Sequence, residues 1–222
     1  MRKAIAVALA LGLLGGALVA PAQAGKKKKK KAKPVATTLF LHGEETIGEV
    51  ENYAFVSTGT YFSMDTEEPA GAEPKSKQLT NYVGGPNTNC TGNDFFPVWV
   101  GTLAGQVKGD VKVTFHTIAT PGAQVDVRIW PDVSSQLCTN ETLGVDDYPE
   151  PAGEVRVDLP AGPGSVEAVI EGVDFKATSV VMLQLTPAIE TPFVGRALYD
   201  ATSHLSKMEF QCIPAKGKKT CA

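Results

Sequence analysis

The chain has 222 residues, of which 43% are hydrophobic and 7% aromatic, and its 21 basic and 24 acidic residues give a formal net charge of −3. That small value hides an uneven distribution, because the stretch from Pro34 to Ala222 holds 12 basic and 24 acidic residues, a net charge of −12. An acidic body is repelled by the phosphate backbone, so the charge layout argues against nucleic acid as a specific partner.

The first residues have the three parts of a secretory signal peptide. Met1-Arg2-Lys3 is basic, residues 4–20 are apolar, and Ala22-Gln23-Ala24 is a small-residue cleavage site. A membrane anchor is the alternative, and the cleavage site argues against it. We therefore expect 1–24 to be removed and the protein to be secreted, with no transmembrane segment left, since no later apolar run is long enough to span a bilayer.

A lysine run follows the cleavage site. Its members are Lys26, Lys27, Lys28, Lys29, Lys30, Lys31 and Lys33. A run of like charges without an apolar residue repels itself and stays solvated, so 25–35 is predicted to be a disordered basic arm. The arm either serves solubility alone or retains the protein on an anionic surface, such as an acidic membrane or a cell-wall polymer, where each lysine contributes about 1 kcal/mol.

Residues 36–212 are predicted to form one all-β domain. Extended segments are expected, in chain order, at 36–42, 54–64, 77–83, 95–100, 110–118, 125–130, 155–159, 166–171, 180–185, 193–199 and 208–212. The most regular is the pair within Asp110–Pro131, where apolar and polar residues alternate on both sides of a Thr-Pro-Gly turn, and which we interpret as a central hairpin. Short strands separated by turn residues, with no helical periodicity, favour an antiparallel β-sandwich of jelly-roll type.

Four cysteines in an exported chain predict two disulfides, with three possible pairings. We favour Cys90–Cys138 and Cys212–Cys221, the second of which would hold down the polar tail 213–222. Zinc binding is the alternative, but the chain has no Cys-x-x-Cys spacing and no paired histidines.

Motifs with a known catalytic mechanism are absent from the sequence, which has no Gly-x-Ser-x-Gly, His-Glu-x-x-His, Walker or EF-hand pattern. His42 lies beside two glutamates at the end of a predicted strand. His116 is on the polar side of a strand and is interpreted as a solvated surface residue. His204 follows Ser203 in a loop, where adjacent residues rarely form a catalytic triad.

Acidic loop residues are the candidate metal ligands. Asp65, Glu67, Asp146 and Asp147 offer carboxylate oxygens, and Ca²⁺ needs six to eight oxygens. A structural calcium ion and a merely solvated acidic surface both remain open, and no other cofactor is predicted.

Trp130 is the candidate ligand-binding residue. Strand parity places it with Asp126 and Arg128, on the side opposite the valines. If the valines face the core, Trp130 lies outward among charges and offers a flat apolar platform for a sugar ring or a partner protein. The alternative is that a loop, such as 132–153, covers it.

Four segments carry a resemblance to known proteins, namely Thr-Thr-Leu-Phe-Leu-His-Gly at 37–43, Gly-Asp-Val-Lys-Val at 109–113, Val-Arg-Ile-Trp-Pro-Asp at 127–132 and Leu-Gln-Leu-Thr-Pro at 183–187. In these the chain resembles uncharacterised β-sandwich domains of exported actinobacterial proteins, broadly like the jelly-roll or pre-peptidase C-terminal-type modules attached to secreted hydrolases. The resemblance spans roughly 36–212 and implies a non-catalytic module. It transfers no functional residues.

The leading functional hypothesis is therefore a secreted or cell-wall-associated binding module with a carbohydrate or protein partner. A hydrolase that uses loop carboxylates is the first alternative. A purely structural envelope protein is the second.

Overall fold

The computed structural model describes residues 32–52, 55–80, 98–131, 151–177, 180–188 and 193–222. Its strands are β1 (Val35–Asn52), β2 (Phe55–Asp65), β3 (Lys75–Thr80), β4 (Val98–Thr102), β5 (Gly105–Ala119), β6 (Gln124–Trp130), β7 (Gly153–Asp158), β8 (Gly162–Ala177), β9 (Val180–Pro187), β10 (Phe193–Tyr199) and β11 (Lys207–Pro214). The all-β prediction is confirmed. Within the described residues, no helix is long and apolar enough to cross a membrane. The predicted signal peptide and the arm up to Lys31 lie outside this part of the chain.

The strands form one hydrogen-bonded path in the order β3-β10-β5-β11-β1-β2-β4-β9-β6-β7, and β8 pairs with β5 beside it. Neighbours are antiparallel except β2 and β4, which are parallel. β5 is central because β8 pairs with it from end to end, while its opposite edge is shared by β11 and β10.

A single hydrophobic core joins the β5 part of this sheet to the β9 part. Val113 and Phe115 of β5 and Val127 and Ile129 of β6 are all at most 1% exposed and belong to one cluster. A Cβ placed on Gly153 of β7 would come within 2.6 Å of a side-chain carbon of β8. β7, which ends the path, therefore lies close to β8, which flanks β5, beside the shared core.

The predicted central hairpin is wrong. Residues 120–123 do make a turn, in which Ala123 N–H donates to the Thr120 carbonyl and Gly122 has a φ of +76°. However, β5 pairs with β8, β10 and β11, whereas β6 pairs with β7 and β9. The turn therefore carries the chain from one part of the sheet to another. Alternation of side chains identifies the faces of a strand but not the strand beside it.

β1 continues past Gly43, where the sequence predicted its end. After an irregularity between Leu41 and Glu45, the acidic stretch pairs in register with β2 as far as Asn52. The acidic side chains gave no period-two signal, so this extension comes from backbone pairing with β2. The β2 strand runs through Gly59, which pairs with Gly48.

The predicted Cys212–Cys221 disulfide is confirmed, with Cα atoms 6.4 Å apart. Both cysteines are buried, and Gly105 leaves the space for them, since a Cβ there would lie 2.7 and 2.8 Å from the two sulfurs. Ala104 N–H donates to the Cys221 carbonyl at 2.8 Å, which fastens the tail to the β4–β5 connection. Cys90 and Cys138 lie outside the described residues.

Candidate functional site

A polar cluster forms where β1, β2, β3 and the turn after β10 meet. It contains His42 of β1, Asp65 at the end of β2, Lys75 at the start of β3 and Asp200 directly after β10. Strand pairing brings these ends together, because Asp65 pairs with the β1 residue Phe40, and Lys75 pairs with the last residue of β10. We call these four residues the His42 cluster.

His42 bridges two carboxylates. Its Nδ1 lies 3.1 Å from Asp200 Oδ1, and its Nε2 lies 3.1 Å from Asp65 Oδ1. A protonated imidazole donates to both carboxylates, whereas a neutral ring has one N–H and donates to only one. The ring therefore ties the ends of two distant strand segments together through both of its nitrogens.

Asp200 is the most heavily used acceptor of the cluster. Its Oδ2 accepts from Gly43 N–H at 3.1 Å and from Lys75 Nζ at 2.9 Å, in addition to the His42 contact at Oδ1. Burial opposes ionisation of this carboxyl, but the hydrogen bonds from Lys75, Gly43 and His42 outweigh it and hold the pKa of Asp200 below its usual value. The residue has a φ of +61°, a left-handed conformation that a short polar side chain tolerates.

An aromatic layer supports the cluster from the core side. The rings of Phe62, Trp99 and Tyr199 pack against one another with centroids 5.2 to 5.6 Å apart. Trp99 Nε1–H donates to the His42 carbonyl at 3.2 Å, which fixes the backbone from which the imidazole projects. The Trp99 side chain itself is fully buried.

The His42 cluster acts as a structural clasp, by which we mean that its hydrogen bonds hold the strand ends together. Neither ring nitrogen is left to take a proton from a substrate while both carboxylates are in place. Asp65 is further held by its own turn, because its Oδ1 accepts from Glu67 N–H at 2.7 Å. Sequence reasoning marked His42 for its acidic neighbours but missed Lys75 and Asp200. No local pattern could have found Asp200, which lies 158 residues away.

The exposed platform predicted at Trp130 is not what the structure has. Trp130 is 5% exposed and Asp126 is 3% exposed, because β6 is covered on both faces. The sequence alternative, a covered Trp130, is the one that fits. Its indole Nε1 has no hydrogen-bond partner among the described residues. A ligand role for these residues and Arg128 stays a prediction without the platform that motivated it.

The charges beside Trp130 are satisfied by one another. Asp126 accepts two hydrogen bonds from Arg156, at 2.7 Å from Nε and 3.0 Å from Nη2. Arg128 adds a third at 3.3 Å and also pairs with Glu154. A bidentate guanidinium on a buried carboxylate is a strong, oriented ion pair, and it joins β6 to β7.

The calcium prediction is only partly within reach of the structure. Asp65 and Glu67 are two residues apart, and Asp65 is hydrogen-bonded to His42. Asp146 and Asp147 lie outside the described residues. In the parts of the chain that are described, no group of three or more His, Cys, Asp or Glu side chains is placed to hold a metal ion. A calcium site therefore stays a prediction. Lys33, the one arm lysine within the described ranges, is exposed.

Comparison with known proteins gives no family. No protein-family model matches the chain, and neither does any curated protein. Among solved structures it is similar to a CocE/NonD family hydrolase from Staphylococcus aureus, with 8% identity and a TM-score of 0.45 over 81% of this chain and 36% of that one. An aminopeptidase from a marine sediment Thaumarchaeota archaeon matches with 12% identity and a TM-score of 0.44 over 80% and 37%.

An alpha-amino acid ester hydrolase matches similarly, with 10% identity and a TM-score of 0.44 over 82% of this chain and 36% of that one. The chain thus spans little more than a third of the length of these proteins. Their names describe those proteins, and TM-scores this low carry no argument about the fold or activity of this chain.

Proposed function

We propose that this protein is an exported, non-catalytic binding module, retained on an anionic surface by its lysine arm, whose β domain binds a carbohydrate or protein partner. The observation that carries the proposal is the separation of charge between arm and body. Seven lysines are concentrated within 26–33, while the chain from Pro34 onward has a net charge of −12.

The lysine arm and the acidic β domain carry opposite charges, so a charged surface attracts one and repels the other. An anionic surface attracts the arm and repels the body, so the arm acts as a tether and the domain stays solvent-facing. At about 1 kcal/mol per lysine, seven lysines supply at most roughly 7 kcal/mol, which corresponds to a Kd of about 10 μM. Such retention weakens at 1 M salt, where the Debye length is about 3 Å.

Two features of the β domain support this reading. The Cys212–Cys221 disulfide is typical of proteins in oxidising compartments and is compatible with export. The His42 clasp supports a non-catalytic role, because both of its ring nitrogens are engaged by Asp65 and Asp200.

The tether is tested with three forms of the mature chain. One is the natural sequence, one has glutamine at all seven arm lysines, and one has arginine at all seven. We expect the natural and arginine forms to sediment with vesicles containing acidic lipid at 50 mM salt and to be released at 1 M salt. The glutamine form should stay in the supernatant. Equal sedimentation of the glutamine form would contradict electrostatic retention.

The partner is sought with the glutamine form, because the natural arm binds any polyanion. Glycan arrays and capture of extracellular proteins are read against a form denatured by reduction in urea. Saturable binding by the folded glutamine form supports the module. Binding that is seen with the natural form and lost in the glutamine form would show that only the arm lysines bind, and it would contradict a binding role for the β domain.

A hydrolase is the second candidate, and the observation that favours it is an imidazole flanked by two carboxylates. In that case Asp65, which is 55% exposed at its side chain, would swing aside to free His42 Nε2 for substrate. Turnover of ester, peptide or glycoside polymers by pure protein, lost at least 100-fold in His42→Asn, would establish it. Turnover that survives in His42→Asn would place the chemistry elsewhere.

A further inference from the structure

The other two of the three histidines, His116 and His204, lie in contact with each other. The His204 ring packs edge to face against His116 of β5, with centroids 5.0 Å apart and an interplanar angle of 71°. Ser203 Oγ lies 2.8 Å from His204 Nδ1. His116 is half-buried and not the solvated surface residue that the sequence predicted, because the turn folds over it.

The backbone holds both rings in place. His116 pairs with Leu198 of β10, and Ser206 Oγ lies between them, donating to the Leu198 carbonyl at 2.8 Å and accepting from His116 N–H at 3.3 Å. His204 N–H donates to the Ala201 carbonyl at 3.0 Å. The two imidazoles therefore project from a strand and a hydrogen-bonded turn, so they are largely preorganised.

We propose that His116 and His204 form a binding site for a divalent transition-metal ion, Zn²⁺ or Cu²⁺ in class, with one nitrogen from each ring and water in the remaining positions. Imidazole nitrogen is a preferred ligand of both ions. Within the described residues, neither ring nitrogen of His116 has a hydrogen-bond partner. His204 keeps Nε2, because Ser203 contacts only Nδ1.

The spacing of the rings matches that of a shared metal ion. Two imidazoles on one tetrahedral Zn²⁺, with Zn–N distances of about 2.0–2.1 Å, have centroids roughly 5 Å apart. The observed separation of the His116 and His204 ring centroids is 5.0 Å, which matches that value.

The surroundings of His204 favour its ligating form. A metal-bound histidine usually gives its other N–H to an oriented acceptor, and the Ser203 hydroxyl is such an acceptor for His204. With two protein ligands, the site has open positions and is of moderate affinity.

The test uses the tag-free mature protein with any free thiols alkylated, so that neither a tag nor an unpaired cysteine contributes. Calorimetric titration with Zn²⁺ and with Cu²⁺ should show one site, with Cu²⁺ tighter. His116→Gln and His204→Gln should each weaken binding at least tenfold, and Ser203→Ala should weaken it less. Lys112→Gln, on the same strand as His116, serves as the matched control and should bind like the natural protein.

Circular dichroism of each variant establishes that it is folded. Nitrogen hyperfine structure in the Cu²⁺ electron paramagnetic resonance spectrum should report two equivalent imidazoles and collapse to one in either single variant. Absence of a stoichiometric site up to 1 mM metal overturns the proposal. So does unchanged affinity in either histidine variant, since both rings are required.

Discussion

Removal of the Asp200 carboxylate is the sharpest test of the His42 clasp. Three variants separate the effects of the Asp200 charge, its hydrogen-bond acceptors and its backbone conformation. Asp200→Asn keeps the shape and the tolerance of a left-handed backbone but removes the charge. Asp200→Ala removes every side-chain acceptor and adds backbone strain at a φ of +61°, and Asp200→Gly removes the acceptors without that strain.

The expected magnitudes follow from the contacts. Asp200 accepts from His42 and from Gly43 N–H, and hydrogen bonds to a charged group contribute about 1.5–3 kcal/mol each. The Lys75 pair adds less than about 1 kcal/mol, because that lysine is half exposed. Left-handed alanine costs a further 1–2 kcal/mol or so. We therefore expect losses in the free energy of unfolding of about 1–2 kcal/mol for Asn, about 3 for Gly and about 4 for Ala.

Urea unfolding at pH 7, followed by tryptophan fluorescence and circular dichroism, measures these differences. The same unfolding experiment repeated at lower pH is a second test. Because the pKa of Asp200 is lower in the folded than in the unfolded state, its contribution is present above about pH 4 and is lost as the pH falls through the folded value. The gap between natural protein and Asp200→Asn should close accordingly. A gap below 0.5 kcal/mol at pH 7, or one that persists unchanged at pH 2.5, refutes the clasp.

Three further predictions concern the rest of the fold. Replacing Cys212 and Cys221 together by alanine should lower the free energy of unfolding by about 3 kcal/mol relative to the oxidised natural protein, the value for so short a loop, measured by urea titration without reductant; an unchanged free energy would contradict it. Arg156→Ala should cost more than Asp126→Ala/Arg156→Ala in the same assay, because the single change leaves a carboxylate that is 3% exposed with only the 3.3 Å contact from Arg128; equal costs would argue against a buried ion pair. Because burial and the nearby His204 charge lower the pKa of His116, natural stability should decline as pH falls below about 6.5, and His116→Gln should lose this part of the decline between pH 8 and pH 5.

The sequence predicted where most strands lie because side-chain alternation is local. Val113, Phe115, Val127 and Ile129 face the core as expected. The continuous apolar run of β9 is buried on both faces, as such a run indicates. The short-range disulfide was also within reach, since its two cysteines are nine residues apart.

Pairing and the polar sites were beyond the sequence because they depend on distant partners. The hairpin interpretation failed because the two strands pair with different partners, β5 with β8, β10 and β11 and β6 with β7 and β9. Asp126 is buried despite its polar parity because Arg156, thirty residues away, neutralises it. The contact between His42 and Asp200 spans 158 residues, and the His116–His204 pair arises from a turn whose conformation the sequence does not announce.

The placement of β11 has a consequence for how the chain reaches this state. β11 lies between β1 and β5, and β8 and β10 also flank β5, so all three partners of β5 follow it along the chain. Until Lys207–Pro214 has been synthesised, the edges of β1 and β5 that pair with it have no hydrogen-bonding partner. Long-range closure of this kind folds slowly, and exposed edges invite aggregation. Premature stop codons before β11 should therefore yield insoluble protein.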